Sequence, residues 1–217
     1  MINTYFFAYQ RESRIRSFLL RFPYASTSVI AREFFDFPSG KRKCRQVLQR
    51  MTERGVVKRF RHGEYLYHIG KRSSQWLHTH GVTSFHFDLL HSLRHPQEIA
   101  YHVREVAYGE AGRADALYYL KLREDGSGVK FFLEWDDGRN YWSKWEQYEN
   151  YARSRTWLLK EFWADPLKSG MPSFPIILVV TERDLQPPKS ELLTVRICKP
   201  GSDYLGVLLN KSSVSRA

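Results

Sequence analysis

Between Arg14 and Ile69 the spacing of apolar residues changes once, from helical to extended, and that change orders the elements of the first third of the chain. Ile15, Phe18, Leu19 and Phe22 fall at i, i+3, i+4 and i+7, one buried stripe of a helix from Arg14 to Phe22. Pro23 breaks it. Ser26, Thr27 and Ser28 then offer N-caps for a short second helix through Val29, Ile30, Phe34 and Phe35. Phe37-Pro38-Ser39-Gly40 reads as a turn. Cys44, Val47, Leu48 and Met51 repeat the helical spacing over Lys41 to Arg54, which turns Lys41, Arg42, Arg45, Gln46, Gln49 and Arg50 outward. Gly55 stands where a C′ glycine ends a helix. Beyond it the period becomes two: Val56 to Phe60 and Glu64 to Ile69 are strand-like runs about Arg61-His62-Gly63.

Three helices followed by a hairpin is the order of a winged helix-turn-helix, in which the third helix enters the major groove and the wing reaches flanking phosphates or the minor groove. The charge distribution agrees. The 217 residues hold 34 Lys+Arg against 23 Asp+Glu, a formal net charge of +11. Residues 1–83 carry 16 of the basic and 5 of the acidic side chains, whereas residues 84–217 carry 18 of each. The whole excess belongs to the helix and hairpin segment. Such a module faces a polyanion, and double-stranded DNA is the expected partner. Arg42, Arg45, Gln46 and Gln49 are candidates for base edges, since Arg pairs with guanine and Gln with adenine through two hydrogen bonds each. Lys41, Arg50, Lys58 and Arg61 are candidates for phosphates, and Arg59 and His62 complete the wing.

Composition narrows the class. A hydrophobic fraction of 42% excludes a disordered polybasic tail. Cys44 and Cys198 lie too far apart for a zinc motif and build no disulfide framework, so a reducing, cytoplasmic setting is expected. No apolar run approaches the roughly 20 residues needed to span a bilayer, and Met1 to Gln10 lacks the pattern of an export signal. The only plausible boundary lies around Gly70 to Thr83, giving domains 1–72 and 84–210 and an α/β (α+β) chain overall.

In the neutral half, Val129 to Asp136 alternates as a strand, with Phe132, Glu134 and Asp136 on one face. Arg113 to Leu120 reads as a second strand carrying Asp115, and Asp125-Gly126-Ser127-Gly128 joins the two as a hairpin. Asp115, Glu134 and Asp136 then converge as hard oxygen donors of the type Mg²⁺ prefers, with Asp115 and Glu134 as its ligands. A helix about Pro96 to Ala107 precedes the hairpin. A long helix from Asn140 to Trp163 follows, with Trp142, Trp145, Tyr148, Ala152, Leu159 and Phe162 inward and Lys144 one turn above Tyr148. Phe174 to Val180 and Leu192 to Ile197 are buried strands.

With Asp115 on one strand and Glu134-Trp135-Asp136 on the next, this half resembles the restriction-endonuclease-like, or PD-(D/E)XK, nucleases, whose signature is an Asp followed by Glu-x-Lys. From roughly Arg14 to Lys199 the chain is similar to the replication-relaxation family of plasmid and mobile-element proteins. The resemblance is carried by Arg113-Ala114-Asp115-Ala116, Phe132-Leu133-Glu134-Trp135-Asp136, Lys144 with Tyr148 or Tyr151, and Val179-Val180-Thr181. It implies a winged helix joined to a nuclease-like domain, with the acidic residue of the preceding helix at Glu98 or Glu105. Position 136 carries Asp where the nuclease signature has Lys, which leaves Lys144 as the cation beside the scissile phosphate. For an active site the resemblance implies Asp115 and Glu134 on Mg²⁺, Asp136 orienting water and Lys144 balancing charge.

The expected function is a DNA-binding protein of plasmid or mobile-element replication, with a homodimer or replication and mobilisation proteins as partners. One alternative is a metal-dependent DNA nicking or cleaving endonuclease. A second is a winged-helix transcriptional regulator with a dimerisation domain. The histidines at 78, 80, 86, 91 and 95 suggest a relaxase-like metal site only weakly, because Thr79 is polar and Ser73 to His80 reads as helical.

Overall fold

The computed structural model describes residues 4–108, 112–125, 127–139, 144–159 and 173–209, with backbone alone at 4–8. The chain divides into two compact units, Met1–Phe87 and Asp88–Ala217. The first holds α1 (Thr4–Arg21), β1 (Ala25–Ser26), α2 (Thr27–Phe34), α3 (Gly40–Glu53), β2 (Lys58–His62) and β3 (Glu64–His68). The strands form an antiparallel sheet in the order β1-β3-β2. The division falls inside α4 (Trp76–Ser92), beyond the Gly70 to Thr83 stretch read as the boundary.

Local chemistry accounts for most of this unit. The stripes expected on α1 and α3 are the ones that close its core: Ile15, Leu19, Cys44, Leu48 and Met51 are buried together with Ile30, Val57 and Tyr67. Ser26 caps α2, its Oγ accepting from the Val29 amide at 3.2 Å. Gly55, at φ +70°, ends α3 in the left-handed region that a side chain would strain. Gly40 is required for a different reason: a Cβ there would lie 1.6 Å from the Phe35 carbonyl oxygen. The α2–α3 turn closes only around a hydrogen. The β1 strand has just two residues, too few to leave a period in the sequence.

The second unit holds β4 (Glu98–Tyr108), β5 (Gly112–Lys121), β6 (Gly128–Asp136), α5 (Trp145–Ser154), β7 (Ile176–Thr181), β8 (Val195–Cys198) and α6 (Tyr204–Leu209). Its five-stranded mixed sheet runs β4-β5-β6-β7-β8. The first three strands are an antiparallel meander, and β7 and β8 continue parallel to β6. Phe132, Ile177 and Val179 from the sheet pack with Tyr148, Tyr151 and Ala152 of α5.

Two expectations are corrected. The helix expected about Pro96 to Ala107 is strand β4. Its register shifts between Ile99 and Tyr101, and Glu105 sits at φ +55°, so the alternation slips and Ile99, His102, Val103 and Val106 imitate a helical stripe. Glu98 and Glu105 therefore stand on a strand, paired with Lys121 at 3.1 Å and Arg113 at 3.7 Å. The helix expected over Asn140 to Trp163 is α5, which stops at Ser154 because Arg155 turns left-handed, and a short 3-10 turn follows at Thr156–Leu159. Trp142, Phe162 and the ends of that expected helix, like Gly126 of the hairpin turn, lie outside the described residues. No helix among the described residues is long and apolar enough to cross a membrane.

Candidate functional site

Two surfaces carry the candidate residues, one in each unit. On α3 the residues Lys41, Arg42, Arg45, Gln46, Gln49 and Arg50 are all exposed, and Cys44, Val47, Leu48 and Met51 are all buried behind them. Lys43 joins the exposed set and was not singled out from the sequence. Among the described residues none of the five α3 cations pairs with a carboxylate, so their charge is available to a ligand. Gln49 is engaged: its Nε2 donates to Glu53 Oε1 at 2.9 Å.

The hairpin separates what the sequence grouped. Cross-strand partners share a face, so Arg59 and Arg61 lie with Tyr67 and Tyr65, while Lys58 lies on the other face with His68. The Arg59 guanidinium rests 4.4 Å from the Tyr65 ring centroid, which holds it against the hairpin.

In the second unit Asp115 and Glu134 meet where β5 leaves β6. The last paired residues there are Ala116 and Leu133. One position on, the Asp115 carboxylate replaces the ladder and accepts from the Trp135 amide at 2.6 Å. Glu134 is 1% exposed. Its Oε2 receives the Lys144 ammonium at 2.5 Å and its Oε1 the Tyr148 hydroxyl at 2.6 Å. Lys144 also donates to the Arg113 carbonyl at 3.0 Å, so it bridges β5 and β6 from the start of α5. Asp136 turns away: its Oδ2 accepts from Thr181 Oγ1 at 2.7 Å and lies 3.4 Å from Arg183 Nε, and its Oδ1 accepts from the Gly138 amide at 3.0 Å. The three carboxylates do not converge.

Burial decides the electrostatics. It pushes the Glu134 carboxyl up to about 7, with the nearby Asp115 adding to the shift and the Lys144 and Tyr148 hydrogen bonds opposing it. Burial and Glu134 together also raise the Tyr148 phenol well above its usual range. The ring of Tyr108, stacked on Tyr148 with centroids 4.2 Å apart, closes the site from β4. Tyr108 escaped the sequence reading because its strand was taken for a helix. Thr181 and Arg183 as partners of Asp136 carried no local signal, since only the parallel β6–β7 register sets Asp136 beside Thr181.

As arranged, these residues do not fit Mg²⁺. Both Glu134 oxygens are taken, one by an ammonium that repels a second cation, and both Asp136 oxygens are engaged elsewhere. Among the described residues no group of three His, Cys, Asp or Glu side chains is placed to hold a metal ion, and the weak histidine reading finds no cluster either. His80 Nδ1 instead bonds to the Tyr24 carbonyl oxygen at 2.9 Å. What the cluster can do is hold a proton on a buried carboxyl near neutral pH between an ammonium and a phenol. Set beside protein-family models, curated proteins and solved structures, the chain finds no match in any of the three.

Proposed function

We propose that this chain is a duplex-DNA-binding protein whose first unit is a winged helix-turn-helix and whose second is a nuclease-like domain that does not cleave in its resting arrangement. The observation that carries this is the α3 surface: Lys41, Arg42, Lys43, Arg45 and Arg50 exposed on one helix without a carboxylate partner, backed by a buried stripe. The order of α1, α2, α3 and the β2–β3 hairpin, with β1 added to β3, supports α3 as the helix that enters the major groove. The setting in plasmid or mobile-element replication rests on the sequence resemblance.

Two contacts to base edges or phosphates each contribute about 1–3 kcal/mol. Removing Arg42 and Arg45 together should weaken duplex binding by roughly two orders of magnitude. In fluorescence-anisotropy titrations at several salt concentrations, log K for the natural chain should fall linearly with log salt. A flat dependence, or a double variant that binds as tightly, would sink the proposal.

The nuclease-like reading of the second unit is supported by its element order, a meander, a helix and a parallel strand, with Asp115 on β5 and Glu134 on the adjacent β6. Lys144 beside Glu134 argues against basal metal-dependent cleavage. Supercoiled plasmid incubated with the protein and Mg²⁺ or Mn²⁺ should therefore stay supercoiled. Nicking that disappears in Glu134→Ala would instead establish the endonuclease alternative.

A further inference from the structure

The first unit carries a second cationic surface, away from α3. Lys71, Arg72, Ser73, Ser74 and Trp76 line an open cavity of about 620 Å³ between the end of β3 and the start of α4. That is room for a sugar and its phosphate. Arg72 is held in place by rings rather than by a carboxylate: its guanidinium lies 4.7 Å from the Phe60 centroid and 5.8 Å from that of Trp76. Trp76 is in turn fixed edge-on against Phe60 at 4.8 Å and His62 at 5.0 Å. Among the described residues neither Lys71 nor Arg72 pairs with an acidic side chain. Lys58 points to this same face of the hairpin, opposite His68. Burial holds His68 below its usual range, and Lys58 and Arg72 push the same way, which places both cations near it.

We propose that this cavity is a phosphate-binding site for the DNA backbone flanking the wing, with Lys71 and Arg72 neutralising a phosphodiester and the Ser73 hydroxyl donating to its oxygens. Two cations and a hydroxyl around a hollow are the chemistry that recognises a phosphate, and pre-stacking of Arg72 reduces the ordering cost of the contact. The site rests on the duplex-binding reading, which it extends beyond α3 to a strand segment on the far face of the hairpin. Contacts of this type position the protein and carry no sequence information.

The test compares full-length natural chain, Lys71→Ala/Arg72→Ala and Arg42→Ala/Arg45→Ala on one duplex across a salt series, with hydroxyl-radical footprints. Each neutralised phosphate contributes about 0.9 to the slope of log K against log salt. The Lys71/Arg72 variant should lose close to two units of slope, weaken binding about tenfold on any duplex sequence, and expose backbone positions at one edge of the footprint. An unchanged slope and footprint, with an unchanged melting temperature, overturn the site. Titration with inorganic phosphate and a deoxynucleoside monophosphate separates the sources: a variant that loses only that binding, with its DNA slope intact, also overturns it. Loss of binding in Arg42→Ala/Arg45→Ala shows that α3 holds DNA whatever the fate of the cavity. If that variant binds normally, the α3 reading fails while the Lys71/Arg72 slope still reports on the cavity.

Discussion

Lys144→Met should destabilise the second unit by about 1 kcal/mol at pH 8 and by much less at pH 5, since the carboxyl takes up a proton rather than stay charged and unpaired. Glu134 is 1% exposed and its Oε2 rests on the Lys144 ammonium, so removing the ammonium leaves a buried carboxylate with only Tyr148 to meet it. The sign follows from proton linkage. In the natural chain the folded carboxyl titrates at about 7, above its ordinary 4.5. The folded state therefore holds the proton more tightly, and stability falls as pH rises between those values. Without Lys144 the two influences that raise the value, burial and Asp115, act unopposed by the cation, and the window of falling stability extends upward. At pH 5 both proteins are protonated at Glu134 and differ little. Hydrogen exchange of the β5 to β7 amides, measured at both pH values, reads the difference. Glu134→Gln added to Lys144→Met should restore most of the loss at pH 8. An equal loss at both pH values would assign Lys144 a packing role and refute the charge argument.

Gly40→Ala should cost the first unit about 3 kcal/mol or more, the upper part of what overpacking does. A Cβ at position 40 would sit 1.6 Å from the Phe35 carbonyl oxygen and 3.1 Å from the Phe35 Cβ, and a backbone oxygen cannot swing aside as a flexible side chain can. The Gly40 amide also donates to the Phe37 carbonyl at 2.7 Å, which ties the turn at the same point. Relief requires α2 and α3 to separate, which opens the core between Ile30, Cys44 and Leu48. A loss of this size is a large fraction of the stability of a small domain. Thermal melting followed by circular dichroism should show a shift of about 10 °C or more, with any duplex affinity proposed for α3 falling in parallel as that helix loses its backing. A variant that melts with the natural chain would mean that the turn relaxes elsewhere at little cost.

The elements that the sequence made legible are those whose partners are local. The α1 and α3 stripes, the Ser26 cap, the Gly55 terminus and the β2–β3 hairpin each depend on residues within one or two turns of one another. Strand β4 was misread for a physical reason: a register shift and a left-handed residue moved its alternation off period two, and only pairing with β5 identifies it as a strand. In the acidic cluster, the sequence grouped Asp115, Glu134 and Lys144 as ligands and a charge-balancing group around a metal. The structure joins Glu134 and Lys144 as an ion pair and sends Asp136 to Thr181 and Arg183.

The sequence alone determined the charge map, since a net charge of +11 confined to residues 1–83 is a count that folding cannot alter. It also determined which side of α3 faces solvent, because a period of 3.6 leaves apolar residues only one stripe to bury. Tertiary structure alone decided the protonation chemistry of the second unit. Glu134 and Asp136 share one strand face and were equivalent by period, yet burial under Tyr148 and Tyr108 raises one carboxyl, while the parallel partner strand β7 ties the other to Thr181. A carboxyl group's proton affinity is set by its surroundings in space, and those are supplied by strands and helices far apart in the chain.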